Sequence, residues 1–286
     1  MQNQGYFGNE SATWKIASET MVMLGGGRAV AMQLAHPLVA MGVSAHSAYM
    51  SDPLGRSGRT FMLGQMLTFG NRSTAHQAAR TINRLHTHVH GTLPASAGEH
   101  AQGALYDARN PELLLWVQAT LIDTILLIYP LLIGPLSHEE QETYYQESKT
   151  IGRLLGLSDA DMPSTVDDLR HYVHTMSYSH QLAATPQARQ LMQQVLYPPL
   201  PGLLRPLMEY NTWLTSALLP PPIRDIYGLE WGPKRQHAFD TFAANMRRVI
   251  PYAPSALRIL PLTKGIMQSG VVSHTNFLPP GLTFHA

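Results

Sequence analysis

Two short segments of this 286-residue chain carry side chains able to do chemistry. The first, Asp52-Pro53-Leu54-Gly55-Arg56-Ser57-Gly58-Arg59-Thr60, sets two guanidinium groups and a hydroxyl close together. The second, Leu85-His86-Thr87-His88-Val89-His90-Gly91, sets out three imidazoles about thirty residues further on. A neutral imidazole can ligate a metal, iron included, and fixed cationic and hydroxyl donors opposite it can polarise whatever the metal site holds.

The spacing leaves three readings of the histidines open. On a helix, His86 and His90 share a face and His88 points away. They can be polar-face residues near a helix C-terminus, where the dipole favours imidazolium. They can be an i, i+4 pair of ligands for a non-haem metal, which would also want a carboxylate, and none is near in sequence. Or one of them can bind haem iron axially. Arg56, Arg59 and Thr60 fall on one helical face, three and four residues apart. A solvated face is one reading. In the other, one guanidinium fork holds a haem propionate while the second, with Thr60, faces the iron.

The elements that must position these groups read as helices throughout. Strand-like alternation never persists, and Pro and Gly punctuate the chain. Ser11 is a cap for a first helix to about Leu24, which Gly25-Gly26-Gly27 stops or bends. Arg28 to Tyr49 is an apolar helix that Pro37 should kink. Asp52-Pro53 starts a short helix bearing Arg56, Arg59 and Thr60. Ser73 or Thr74 caps a helix from about Ala75 to His90, closed by Gly91. Asn110-Pro111-Glu112 opens a long apolar helix, and Ser137-His138-Glu139-Glu140 is a capping box. Further helices follow to about Ile250, between Pro-rich breaks. The expectation is an all-α fold, a single large helical domain with a Pro-rich helical extension beyond about residue 180.

Composition narrows the function classes. Hydrophobic residues make up 44% and charged residues 14% of the chain, against a usual charged share of about 25%. That predicts a large core and an apolar pocket or contact surface. With 20 Lys+Arg against 19 Asp+Glu, the net charge of +1 gives no basic face for nucleic acid. The absence of cysteine excludes disulfides, iron–sulfur clusters and thiolate-ligated haem, so any metal must be held by His, Asp, Glu or Tyr. Met1-Gln2-Asn3-Gln4-Gly5 lacks the charged start and apolar run of a secretory signal, and the expectation is a cytoplasmic protein. Leu113 to Ile133 is long enough to cross a bilayer. Asp123 near its middle, Pro130 and the lack of flanking Lys/Arg clusters favour a buried core helix.

Other positions have bland readings as well as sharp ones. Gly25-Gly26-Gly27-Arg28 lacks the Lys-Ser/Thr of a phosphate loop and reads better as close helix packing. His36 and His46 read as core histidines, and His171 and His174 as surface ones. Asp123, a lone acid in an apolar helix, needs a partner, for which an arginine or histidine of the site is the candidate. Glu147 is a second such acid.

The ordered set Gly26-Gly27-Arg28-Ala29, Gln33-Leu34-Ala35-His36-Pro37, His46-Ser47, Asp52-Pro53 with Arg56 and Arg59-Thr60, Phe69-Gly70, His86 with Val89 and Gly91, Tyr106-Asp107-Ala108, Trp116-Val117 with Ala119-Thr120-Leu121 and Asp123, Tyr144-Tyr145 with Glu147, Leu155-Gly156-Leu157 and Met162-Pro163 resembles the DUF2236 group of mpaB-type and rubber oxygenase (latex clearing protein) catalytic domains. The likeness runs from about residue 20 to residue 180. It implies a globin-like helical core that binds haem b. It further implies a histidine as proximal iron ligand, and a distal set of arginine, lysine and threonine. By motif the ligand falls on His86, with His90 the alternative if the register slips, and the distal set on Arg56, Arg59 and Thr60. Arg59 stands where rubber oxygenases tend to have lysine. Gln118 stands where many relatives carry histidine.

The expectation from the resemblance and the residues together is a haem b oxygenase using dioxygen on a small, apolar, unsaturated substrate other than extracellular rubber. Arg56, Arg59 and Thr60 are its catalytic candidates, His86 its metal ligand, and Arg56, His90 and Asp123 further cofactor-binding candidates. Asp123 is expected to tie a site arginine or the His86 ring. The alternatives are a haem- or lipid-binding helical protein without turnover, and a helical protein in contact with a membrane.

Overall fold

The computed structural model describes residues 5–46 and 53–269. Among them are fourteen α-helices and one two-stranded hairpin, an all-α fold. The expected Asp52 cap, and the chain from Ser47 to Tyr49, lie outside the described residues.

Local signals set most helix starts. Ser11 caps α1 (Ala12–Ala17), its hydroxyl accepting from Trp14 N at 3.0 Å. Helix α1 stops well before Leu24. Glu19 leaves the helix to pair with Ile259 in an isolated β-bridge, and its carboxylate accepts from Arg258. A 3₁₀ turn (Thr20–Gly25) then leads into α2 (Gly26–Leu34). The glycines there allow close packing. A Cβ on Gly25 would meet Thr124 Cγ2 at 2.4 Å, and one on Gly27 would meet Thr215 Oγ1 at 2.1 Å.

The expected kinked helix over residues 28–49 is instead two helices, α2 and α3 (Pro37–His46). Pro37 has no N–H to continue α2, but its fixed φ suits the first turn of a new helix. The carbonyl released at Ala35 accepts from Ala183 N at 2.8 Å.

Helix α4 (Pro53–Phe69) is longer than expected, and α5 (Arg72–His86) returns along it. Asn71, not Ser73 or Thr74, caps α5, with Oδ1 accepting from Thr74 N at 2.8 Å. A hairpin of β1 (His90–Thr92) and β2 (Leu105–Asp107) follows, then α6 (Pro111–Leu132), capped by Asn110.

Helix α6 is the long apolar segment, and it passes through the middle of the core. Trp116, Ile128 and Leu132 are fully buried, and Trp116 Nε1 donates to Met32 O at 3.1 Å. Around α6 pack α2, α7 (His138–Leu154), α8 (Val166–Ser177) and α12 (Pro233–Val249). The capping box of α7 is present. After α9 (Pro186–Leu196) come α10 (Arg205–Leu218) and α11 (Pro221–Tyr227). One contiguous apolar cluster runs from Ile16 to Ala243, so the Pro-rich extension packs into the same core as the earlier helices. After α12 come a 3₁₀ turn (Ile250–Tyr252), α13 (Ser255–Arg258) and α14 (Pro261–Ser269). Helix α14 packs on α4, where buried Thr263 Oγ1 donates to Gln65 Oε1 at 2.6 Å.

Candidate functional site

Helices α4 and α5 form an antiparallel pair joined by Gly70 and Asn71. Arg56 lies near the free end of α4 and His86 is the last residue of α5, so both sit at the open end of the pair. At 1.5 Å per residue that end is roughly 20 Å from the connecting turn. Arg56 and Arg59 are half-buried and Thr60 is exposed. Arg56 Nη1 donates to Thr60 Oγ1 at 2.9 Å, an i, i+4 contact that fixes the guanidinium.

His86 is half-buried, and its pKa lies below the ordinary histidine value. Burial is the largest cause, Asp107 acts in the opposite direction, and Arg56 adds a smaller lowering. The ring is thereby favoured in its neutral form, the form that ligates metals. Thus the structure brings Arg56 and His86 into one electrostatic neighbourhood and adds Asp107, which the sequence did not single out for this role.

Asp107 is fixed from the other side. Its carboxylate accepts from Arg109 N, Nε and Nη2 at 2.8, 3.0 and 2.7 Å. These hydrogen bonds, with the charges of Arg109 and His90, hold its pKa at about 2.

His90 does not share a helical face with His86. The helix ends at His86, and His90 opens β1, paired in register with Asp107. Gly91 is therefore not a helix stop. The strand passes over the Tyr106 ring there, and a Cβ on Gly91 would meet Tyr106 Oη at 2.6 Å. The i, i+4 metal pair on one helix is thus ruled out by the backbone. His88 and His90 are both exposed. Tyr106 also meets His46, its hydroxyl 3.0 Å from Nε2, which fastens α3 to the hairpin.

Asp123 belongs elsewhere. Its carboxylate accepts from Arg28 Nη2 at 2.6 Å, not from Arg56, Arg59 or His86. Arg28 is only 4% exposed; it also donates to Thr124 Oγ1, and from Nε to Leu218 O at 2.9 Å. The pair cross-links α2, α6 and α10. Glu147 is structural too, accepting from Ala12 N at 3.3 Å and Thr13 N at 2.7 Å at the start of α1. Gln118 donates to Ser148 O at 3.0 Å and packs against Gly152 of α7, so this position joins two helices. His36 is buried, 5.0 Å ring to ring from His100, and is held neutral with a pKa of about 4 by burial and by His100.

The family described as "ER-bound oxygenase mpaB/B'/Rubber oxygenase, catalytic domain" matches residues 14–248. The match extends well past residue 180, so the helices of the Pro-rich extension as far as α12 belong to the family region. The chain is similar to an uncharacterised protein of Mycobacterium bovis and to one of Mycobacterium tuberculosis. Each is 26% identical over 232 residues, covering 78% of this chain and 88% of the relative. No solved structure matches. With the family's pattern carried over most of its length on one helical core, the chain belongs to the mpaB/rubber oxygenase catalytic-domain family, a family of oxygenases.

Proposed function

We propose that the protein is a haem b-dependent oxygenase acting on a small, apolar, unsaturated substrate, with His86 as the iron ligand. The observation that carries this reading is the neutral, half-buried His86 ring at the open end of the α4–α5 pair, with Arg56 in its neighbourhood. The donor set fits the group. Among the described residues no three His, Asp or Glu side chains form a cluster able to hold a metal ion by themselves. A porphyrin supplies the equatorial ligands of its iron and asks the protein for an axial one.

Bound haem would supply the redox chemistry that activates dioxygen. The chain's own residues bind and orient. The His86 ring offers a nitrogen lone pair. Arg56, held by Thr60, presents a fixed fork able to pair with a propionate or donate to an oxygen atom. Arg59 adds a second guanidinium on the same helix. The apolar composition and the 14 methionines suit a pocket for a greasy substrate.

The test is an absorption spectrum of protein expressed with ample haem precursor, together with oxygen uptake on an unsaturated lipid or terpenoid. A Soret band is expected, lost in His86→Ala and kept in His90→Ala. No Soret band in the wild-type protein, or full haem occupancy in His86→Ala, overturns the assignment. A Soret band without oxygen uptake on any such substrate points to a carrier.

A further inference from the structure

Helix α10 has two apolar stripes. Met208, Leu214, Thr215 and Leu218 face the core. Leu203 in the preceding 3₁₀ turn (Gly202–Leu204), with Leu207 and Tyr210, follows an i, i+4, i+7 spacing on another face. There Leu203 is 90% and Leu207 57% exposed. The ring contacts fix what lies beside this second stripe. Trp213 meets Phe239 and Phe242 of α12, and Tyr210 meets Phe242. Moving towards the start of α10 therefore moves towards the end of α12, so the two helices are antiparallel. Leu203 and Leu207 thus lie at the end of the molecule where α12 finishes with Val249, 60% exposed, followed by Tyr252, 88% exposed.

Basic side chains outnumber acidic ones around this ridge: residues 198–210 and 240–258 hold four arginines against Glu209 and Asp240. Arg258 is engaged by Glu19 and Arg205 by Glu209. Arg247 and Arg248 are exposed, and among the described residues no carboxylate pairs with them. Grouped at one end of the molecule, exposed apolar side chains mark an interaction surface in a way that scattered ones do not. A ridge of leucine, valine and tyrosine rimmed by unpaired arginines matches the interfacial region of an anionic bilayer, which takes apolar side chains at its headgroup boundary and attracts cations from its surface.

We infer that the α10–α12 end of the molecule docks on an anionic lipid surface, with Leu203, Leu207, Val249 and Tyr252 inserted and Arg247 and Arg248 at the headgroups. Membrane contact is thereby moved from α6, which lies in the core, to the opposite ends of two later helices. The inference does not depend on haem.

The test is flotation of the full chain with vesicles of phosphatidylcholine alone, or of phosphatidylcholine mixed with phosphatidylserine. Recovery with the mixed vesicles and not with the neutral ones is expected, reversed by high salt. Arg247→Gln/Arg248→Gln should weaken that binding about thirtyfold. Leu203→Ser/Leu207→Ser should weaken it at least about tenfold. All four side chains are exposed, so both variants should unfold at the wild-type temperature, which separates lost docking from lost fold. Failure to float with the mixed vesicles overturns the inference, as does binding that neither variant changes. A wild-type dimer that Leu203→Ser/Leu207→Ser dissociates, with no vesicle binding, would make the ridge a contact between copies.

Discussion

The charge of Arg56 bears on the His86 ring across the open end of the α4–α5 pair, lowering its proton affinity while Asp107 raises it. The two residues stand thirty apart in sequence, and they come within electrostatic range because the chain turns back at Gly70 and Asn71. In the haem-free protein, Arg56→Met is expected to raise the His86 pKa and Asp107→Asn to lower it. A pH titration of the His86 ring signals by NMR checks both directions. Unchanged titration in both variants would separate these groups from the ring.

The Arg28–Asp123 pair gives a stability prediction. Asp123→Ala leaves a guanidinium that is 4% exposed without its counter-charge, a loss of roughly 3–5 kcal/mol in urea unfolding. Haem occupancy of the folded fraction should be unaffected, since Asp123 touches neither His86 nor Arg56. Occupancy that falls in the folded fraction would return Asp123 to the site.

His36 predicts an acid sensitivity. It is neutral in the fold, with a pKa of about 4 against 6.5 ordinarily. Between these values the unfolded chain binds more protons than the folded one, so stability falls as pH falls. The contribution is intact above about pH 6.5 and lost progressively down to about pH 4, by roughly 3 kcal/mol. His36→Asn, which can still accept from Leu38 N, should flatten that part of the stability profile. Urea midpoints across this range decide the matter.

Gly27 is a packing position. Gly27→Ala sets a Cβ 2.1 Å from Thr215 Oγ1 and should destabilise by about 1–3 kcal/mol. Thr215→Ala removes that oxygen, so the double variant should lose less than the two single changes added together. Additive losses would mean that the two helices do not meet there.

What the sequence showed well was local. Ser11, Asn110-Pro111 and the Ser137–Glu140 box each act within one helical turn, and each starts a helix where expected. The grouping of Arg56 with Thr60 could also be read, since the i, i+4 spacing carries it. What failed depended on distant partners. His90 looked helical until the pairing with Asp107 drew it into a strand. Asp123 announced that it needed a partner, but nothing local marked Arg28 on a far helix. The first helix stopped early because Glu19 is claimed by residues at the other end of the chain. Asp107 stood in the family pattern without a role beside His86, because its influence on that ring exists only in the folded chain.

That last claim on Glu19 has a consequence for the whole molecule. Glu19 is buried near the beginning of the chain and is answered by Arg258 near the end, while Thr263 secures Gln65 on the helix that bears Arg56. The far terminus thus works as a clasp. A chain shortened before Arg258 would keep the helices of its core, yet it would carry an unanswered acid inside and a loose outer wall beside its reactive end.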